Sequence, residues 1–175
     1  HGTADCSAGP AMSPAQCAQA LQNGVDIVRA LPGDALLLGE MGIGNTSAAA
    51  LLVARLGGVD VTDVTGAGTG LDAAGIARKT AVLRQALAAN AGATDVLAAL
   101  AALGGFEIAT MVGSALQAAA ERRVIVVDGF IASAAVLVAS KLAPHVLQRC
   151  VFAHRSDERG HARLLELLGA RPLID

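Results

Sequence analysis

The chain has 175 residues, enough for one domain with a substantial core. It is 54% hydrophobic but only 2% aromatic, with no Trp or Tyr, so its core is made of Ala, Val, Leu and Ile, and stacking platforms for single-stranded bases are excluded. A net charge of −2 gives no electrostatic reason to expect nucleic acid or an anionic membrane as partner.

Residues 1–12 form a loop rich in Gly, Pro and Ser. Ser13-Pro14-Ala15-Gln16 then signals a helix start, with a Ser cap, Pro at the first position and Gln three residues after the cap. Apolar residues at Cys17, Leu21, Val25 and Val28 give that helix one core-facing side, and Pro32-Gly33-Asp34 ends it. Ala35-Leu36-Leu37-Leu38 is predicted as a buried strand running into the turn Gly39-Glu40-Met41-Gly42-Ile43-Gly44.

The helix predicted over 45–56 is apolar nearly all round and therefore buried, and Gly57-Gly58 stops it. Asp60 reads as loop. A second glycine loop, Gly66-Ala67-Gly68-Thr69-Gly70, precedes a helix that Asp72 can cap and that turns Ile76, Thr80, Leu83 and Leu87 to one face. Alanine-rich helices continue to about Ala102 and, after Gly104-Gly105, to about Ala120.

Val124-Ile125-Val126-Val127 is a β-branched run closed by Asp128-Gly129. A helix over about 132–142, a strand over 149–153, a helix over 157–168 and a strand over 171–174 complete the chain. Strand–loop–helix units of this kind predict a parallel sheet with right-handed crossovers. No uncharged apolar stretch reaches the ~18 residues of a membrane helix, and none resembles a leader peptide. Cys6, Cys17 and Cys150 have no zinc or redox spacing and read as buried or partly buried thiols of a reduced, cytoplasmic protein. The chain starts at His1 without Met and stops at Asp175 straight after a predicted strand, so residues 1–175 are expected to be a single α/β core domain, a fragment of a longer chain.

Loops at the C-terminal ends of parallel strands line the ligand crevice of such a sheet. Four carry the candidate polar residues. The first holds Glu40, Gly42, Gly44, Asn45 and Thr46; it lacks the Lys-Ser/Thr of a P-loop and the third glycine of the dinucleotide fingerprint. Its backbone N–H groups favour an anion, and Glu40 beside them suggests chemistry on a phosphorylated small molecule, against the plainer alternative of a tight turn with a solvated Glu and an Asn cap. The second loop holds Gly68, with Lys79 on the helix behind it. Lys79 is one of two lysines against eleven arginines; it can snorkel to solvent or reach back to an anion. The third holds Asp128, suited to a ligand hydroxyl or to capping. The fourth is His154-Arg155-Ser156, where Ser156 can cap a helix beginning at Asp157 or donate to a phosphate, capping being the plainer alternative. His154 and His161, seven apart, do not form a metal site, and no carboxylate cluster of the two-metal kind is present in the sequence.

Gly39-Glu40-Met41-Gly42-Ile43-Gly44-Asn45-Thr46 resembles the signature of the nicotinate-nucleotide–dimethylbenzimidazole phosphoribosyltransferase family. Gly2-Thr3-Ala4 with Gly9-Pro10-Ala11-Met12, Gly66 to Gly70 with Lys79, Gly104-Gly105-Phe106-Glu107-Ile108, Asp128-Gly129-Phe130, and His154-Arg155-Ser156 with Gly160-His161 resemble family segments in order, over essentially the whole chain. The resemblance implies a Rossmann-like parallel sheet flanked by helices, with a smaller second domain made by the chain ends that is largely missing here, and a homodimer. It implies transfer of the 5-phosphoribosyl group from nicotinate mononucleotide to 5,6-dimethylbenzimidazole, giving nicotinate and α-ribazole 5′-phosphate in cobalamin biosynthesis, with inversion at the anomeric carbon and no metal or other cofactor. Gly42, Gly68, Lys79 and Ser156 would then hold the ribose phosphate, with Gly44 among the substrate-binding residues and Asp128 in the same crevice. Glu40 would act as base or orient substrate.

Two departures accompany the resemblance. Family members continue past the position of Asp175 into a Leu-Gly-Glu-Gly segment whose glutamate is regarded as the principal base, and Asp5 stands where Asn is expected. The alternatives are a related phosphoribosyltransferase with a different aromatic acceptor, or a non-catalytic nucleotide-binding module. A dehydrogenase fragment is disfavoured by the incomplete glycine fingerprint.

Overall fold

The computed structural model describes residues 2–174; His1 and Asp175, the ends on which the fragment expectation rests, lie outside them. Three parallel strands, β1 (Ala35–Leu38), β2 (Val124–Val127) and β3 (Cys150–Phe152), form a sheet in that order. Ala35 stands opposite Val124 and Ile125 opposite Cys150, so all three strands end at the same edge of the sheet.

Helix α1 (Pro14–Ala30) starts at the expected capping box: the Gln16 N–H donates to Ser13 Oγ at 3.2 Å, and the Ser13 N–H donates to Gln16 Oε1 at 2.8 Å. It lies directly on α6 (Phe106–Ala120), where a Cβ at Gly24 would collide with the Thr110 carbonyl and one at Gly113 with the Leu21 carbonyl. Between them in sequence, α2 (Asn45–Gly57) is buried along most of its length, as its apolar circumference predicts, and packs on α7 (Phe130–Leu142). Helices α4 (Ala73–Ala89) and α5 (Val96–Leu103) are separated by a turn whose carbonyls face Arg55. Its guanidinium donates to the carbonyls of Leu87, Asn90 and Ala93 at 2.7–3.0 Å, satisfying acceptors that the end of α4 leaves open. Asp72 caps α4 as expected, accepting from the Gly75 N–H at 2.7 Å.

Several elements differ from the sequence expectation. Asp60 lies in loop as read, but it accepts from the Thr62 N–H at 2.8 Å and caps a one-turn helix the sequence did not predict, α3 (Val61–Val64), whose Val61 and Val64 are buried. The run Ala35–Leu38 is an edge strand rather than a buried one; Leu37 is 74% exposed and only Leu38 is buried, because among the described residues nothing pairs with its outer side. α7 begins at Phe130, two residues before the expected start, and a 3₁₀ turn at Pro144–Arg149 precedes β3. The predicted strand over 171–174 reduces to a parallel bridge between His154 and Ile174, where the Leu173 and Ile174 N–H groups donate to the carbonyls of Phe152 and Ala153. Cys6, Cys17 and Cys150 are free thiols, Cys17 buried and the others half-buried, as expected. Among the described residues no helix is long and apolar enough to cross a membrane.

Candidate functional site

The loops that follow β1, β2 and β3 emerge together at the C-terminal edge of the sheet, and the loop between α3 and α4 closes over them. They enclose a cavity of about 510 Å³ lined by Glu40, Gly42, Thr46, Gly68 and Lys79. An adjoining hollow of about 210 Å³ is lined by Asp128, His154 and Ser156. Glu40, Thr46, Ile131 and Glu158 border both, so the two are compartments of one crevice. The sequence-predicted residues Glu40, Gly42, Gly44, Gly68 and Lys79 lie in the larger compartment, and Asp128 and Ser156 in the smaller.

The turn after β1 is shaped by glycine. Gly44 is the N-cap of α2 at φ +89°, a left-handed conformation that a β-carbon disfavours. Asn45 is therefore not the cap; its side-chain amide donates to the Glu40 carboxylate. A Cβ at Gly42 would come within 2.8 Å of Asn45 Nδ2, so the Glu40–Asn45 contact needs glycine there. With Gly44 as a cap lacking a side chain, the first N–H groups of α2 have no side-chain acceptor and face the cavity end of the helix.

Glu40 is half-buried rather than solvated. Burial pushes its carboxyl above the usual carboxylate range, and the negative charges of Glu107 and Asp128 push in the same direction. A carboxylate with raised proton affinity is a better proton acceptor than an ordinary one.

Lys79 does not snorkel. Its ammonium turns inward, donating to Thr46 Oγ1 at 3.0 Å and to the Gly66 carbonyl at 3.3 Å. Burial lowers its pKa from the ordinary lysine value, and Glu158 partly opposes that. Gly68, at φ +56°, lies against this cation: a Cβ there would sit 3.6 Å from Lys79 Nζ and 3.3 Å from Thr46 Oγ1. The result is a positive charge, a hydroxyl and a bare backbone facing one space, a combination that suits an anionic oxygen cluster.

In the smaller compartment the Asp128 carboxylate lies 3.5 Å from His154 Nδ1 and does not cap α7, whose N-cap is Gly129. Ser156 is not a cap either. Helix α8 (Arg159–Leu168) starts later than expected, with Glu158 at its N-cap and no side-chain cap bond. Ser156 instead contacts the buried His161, its N–H donating to Nδ1 at 2.9 Å and its hydroxyl lying 3.0 Å from the same nitrogen. The sequence offered His161 as a rejected metal ligand and, with Gly160, as part of a family-like segment, with no role assigned to it; a lone histidine on an amphipathic helix carries no spacing signal for this role. Glu158 has one carboxylate oxygen fully buried against Gly66 without a hydrogen-bond partner. Among the described residues no three His, Cys, Asp or Glu groups gather as metal ligands.

Known proteins show the same arrangement of chain. The family model described as Phosphoribosyltransferase matches residues 1–175. The chain belongs to the phosphoribosyltransferase family. It is 70% identical over 174 residues to the nicotinate-nucleotide–dimethylbenzimidazole phosphoribosyltransferase of Variovorax paradoxus (strain S110), covering 99% of this chain and 50% of that protein. The protein of the same name from Dechloromonas aromatica (strain RCB) is 53% identical over 180 residues, covering 99% of this chain and 52% of its own. Among solved structures of the family, CobT from Thermus thermophilus superimposes with a TM-score of 0.94 at 39% identity, over 99% of this chain and 53% of that one. The expectation of a Rossmann-like parallel sheet flanked by helices is thereby met. The chain spans about half the length of the curated relatives it matches.

Proposed function

We propose that the protein carrying this chain transfers the 5-phosphoribosyl group of nicotinate mononucleotide to 5,6-dimethylbenzimidazole, and that this chain supplies the phosphate cradle. The observation that carries this reading is the inward Lys79, held 3.0 Å from Thr46 Oγ1 and beside Gly68, in the same cavity as Glu40. Relatives up to 70% identical bear the name of that activity.

In the reaction the bond between C1′ of the ribose and the pyridinium nitrogen breaks, and its electron pair returns to that nitrogen, which becomes neutral in the departing nicotinate anion. A benzimidazole nitrogen attacks C1′ from the opposite face, and the acceptor's N–H proton leaves to a base. Lys79, the Gly42 and Gly68 backbones, the open N–H groups after Gly44 and the Ser156 hydroxyl would hold the phosphate while positive charge grows on the ribose ring. Glu40 would orient the acceptor or receive its proton, its raised proton affinity suiting either task. Asp128 would face a ribose hydroxyl.

The reading includes a cytoplasmic homodimer. Three free thiols support the compartment. Met41 and Ile43, 98% and 94% exposed on the loop at the cavity mouth, offer apolar surface that the acceptor or a second subunit would cover. Incubating the protein with nicotinate mononucleotide and a panel of benzimidazoles tests the reaction. Formation of an α-linked riboside phosphate from 5,6-dimethylbenzimidazole is expected, and donor binding without that product would point to a different acceptor. Sedimentation equilibrium tests the dimer, and a single-subunit mass would refute it.

A further inference from the structure

We propose that His161 is a positioning residue for the donor phosphate, a buried imidazole that fixes Ser156 so that its hydroxyl is presented to the crevice. This rests on reading the crevice as the phosphoribosyl-donor site.

His161 is fully buried, with no exposed surface. Both ring nitrogens are engaged: Nε2 lies 3.0 Å from Ser133 Oγ on α7, and Nδ1 lies 2.9 Å from the Ser156 backbone nitrogen. A backbone N–H can only donate, so Nδ1 is the acceptor and Nε2 carries the proton, which goes to Ser133 Oγ. The imidazole thus ties together α7, the loop after β3 and α8. The Ser156 hydroxyl, 3.0 Å from the same nitrogen, can only donate to it and shares that acceptor with the N–H, a second, weaker hold that an anion in the smaller compartment, which Ser156 lines, replaces by drawing the hydroxyl proton to itself.

The surroundings keep the imidazole neutral. The Phe130 ring packs at 6.3 Å between centroids and the His154 ring at 6.4 Å. Burial, with His154 adding to it, pushes the His161 pKa down to about 4, and the Asp128 carboxylate opposes this. A protonated ring would set N–H against the Ser156 N–H, so only the neutral form holds the loop. Glu158, between Ser156 and His161 in sequence, faces Gly66 and Lys79 rather than the imidazole.

The test uses the full-length protein with His161→Leu, which removes both ring nitrogens, and His161→Asn, whose Oδ1 can still accept from the Ser156 N–H. Calorimetry at pH 7.5 compares nicotinate mononucleotide with nicotinate riboside, which lacks the phosphate. His161→Leu is expected to weaken the mononucleotide about tenfold, raising KM with kcat held, while riboside affinity stays within about twofold. His161→Asn is expected to restore most of the loss. Equal mononucleotide affinity in all three proteins, or equal losses for both ligands, would overturn the proposal. Should His161→Leu fail to fold, His161→Asn and nitrogen-15 spectra of the unaltered protein decide: an Nδ1–H tautomer at pH 7 would overturn it. Failure of the unaltered protein to bind the mononucleotide would instead overturn the donor-site reading, and this proposal with it.

Discussion

Replacing Lys79 by Met keeps the aliphatic stem against the apolar face of α4 and removes only the ammonium. In the structure that ammonium makes two hydrogen bonds, to Thr46 Oγ1 at 3.0 Å and to the Gly66 carbonyl at 3.3 Å, in a half-buried position. Hydrogen bonds to a charged group contribute roughly 1.5–3 kcal/mol, and partial exposure places this one toward the lower end. At about 1.4 kcal/mol per tenfold, Lys79→Met should weaken nicotinate mononucleotide binding about 10- to 30-fold. The fold should survive, because burial already disfavours the charged form of Lys79 and Thr46 can turn its hydroxyl elsewhere. Calorimetric titration with the donor reads the effect, and titration with 5,6-dimethylbenzimidazole, which carries no phosphate, serves as the control. Donor affinity within twofold of the unaltered protein, or an equal loss for both ligands, would refute the phosphate-cradle reasoning.

Glu40→Gln should cut turnover strongly with the melting temperature little changed, measured by steady-state rates and calorimetry; near-normal turnover would make Glu40 structural. Glu107→Gln removes a negative charge that raises the Glu40 pKa, so the acid limb of the kcat profile should move to lower pH, and an unmoved limb would show that Glu40 does not set it. His161 is neutral when folded, with a pKa of about 4 against 6.5 for a free imidazole, so it is the unfolded chain that takes up the extra proton. Stability should hold above pH 6.5 and fall by about 3 kcal/mol as pH drops from there to about 4; denaturant melts of His161→Leu should lose that component. Gly113→Ala, which drives a Cβ into the Leu21 carbonyl between α1 and α6, should cost about 2–3 kcal/mol in the same melts, far more than an exposed Gly→Ala change.

Local chemistry made much of the fold legible. The capping box at Ser13, the Asp72 cap and the β-branched run of β2 are decided by neighbours in sequence, and each forms as read. Elements that depend on distant partners were less legible. β1 reads as buried because its residues are apolar, yet exposure of Leu37 depends on what lies beyond the sheet edge. The Asp60 cap hides in a short segment whose two valines matter only once α4 and α8 are packed against it. For the site, the glycine turns and Glu40 announce themselves by spacing, and the four predicted loops do meet. The inward turn of Lys79 is set by Thr46, 33 positions away, and the Ser156–His161–Ser133 chain joins two helices through a histidine whose partners no local spacing reveals. Such contacts are properties of the assembled core rather than of any local stretch.

The measurement that tests the central claim most directly is a reaction of the protein with nicotinate mononucleotide and 5,6-dimethylbenzimidazole, followed by chromatography for the riboside phosphate. The account predicts an α-linked product with release of one nicotinate for each one formed. A folded protein that neither binds the mononucleotide nor yields that product would contradict it.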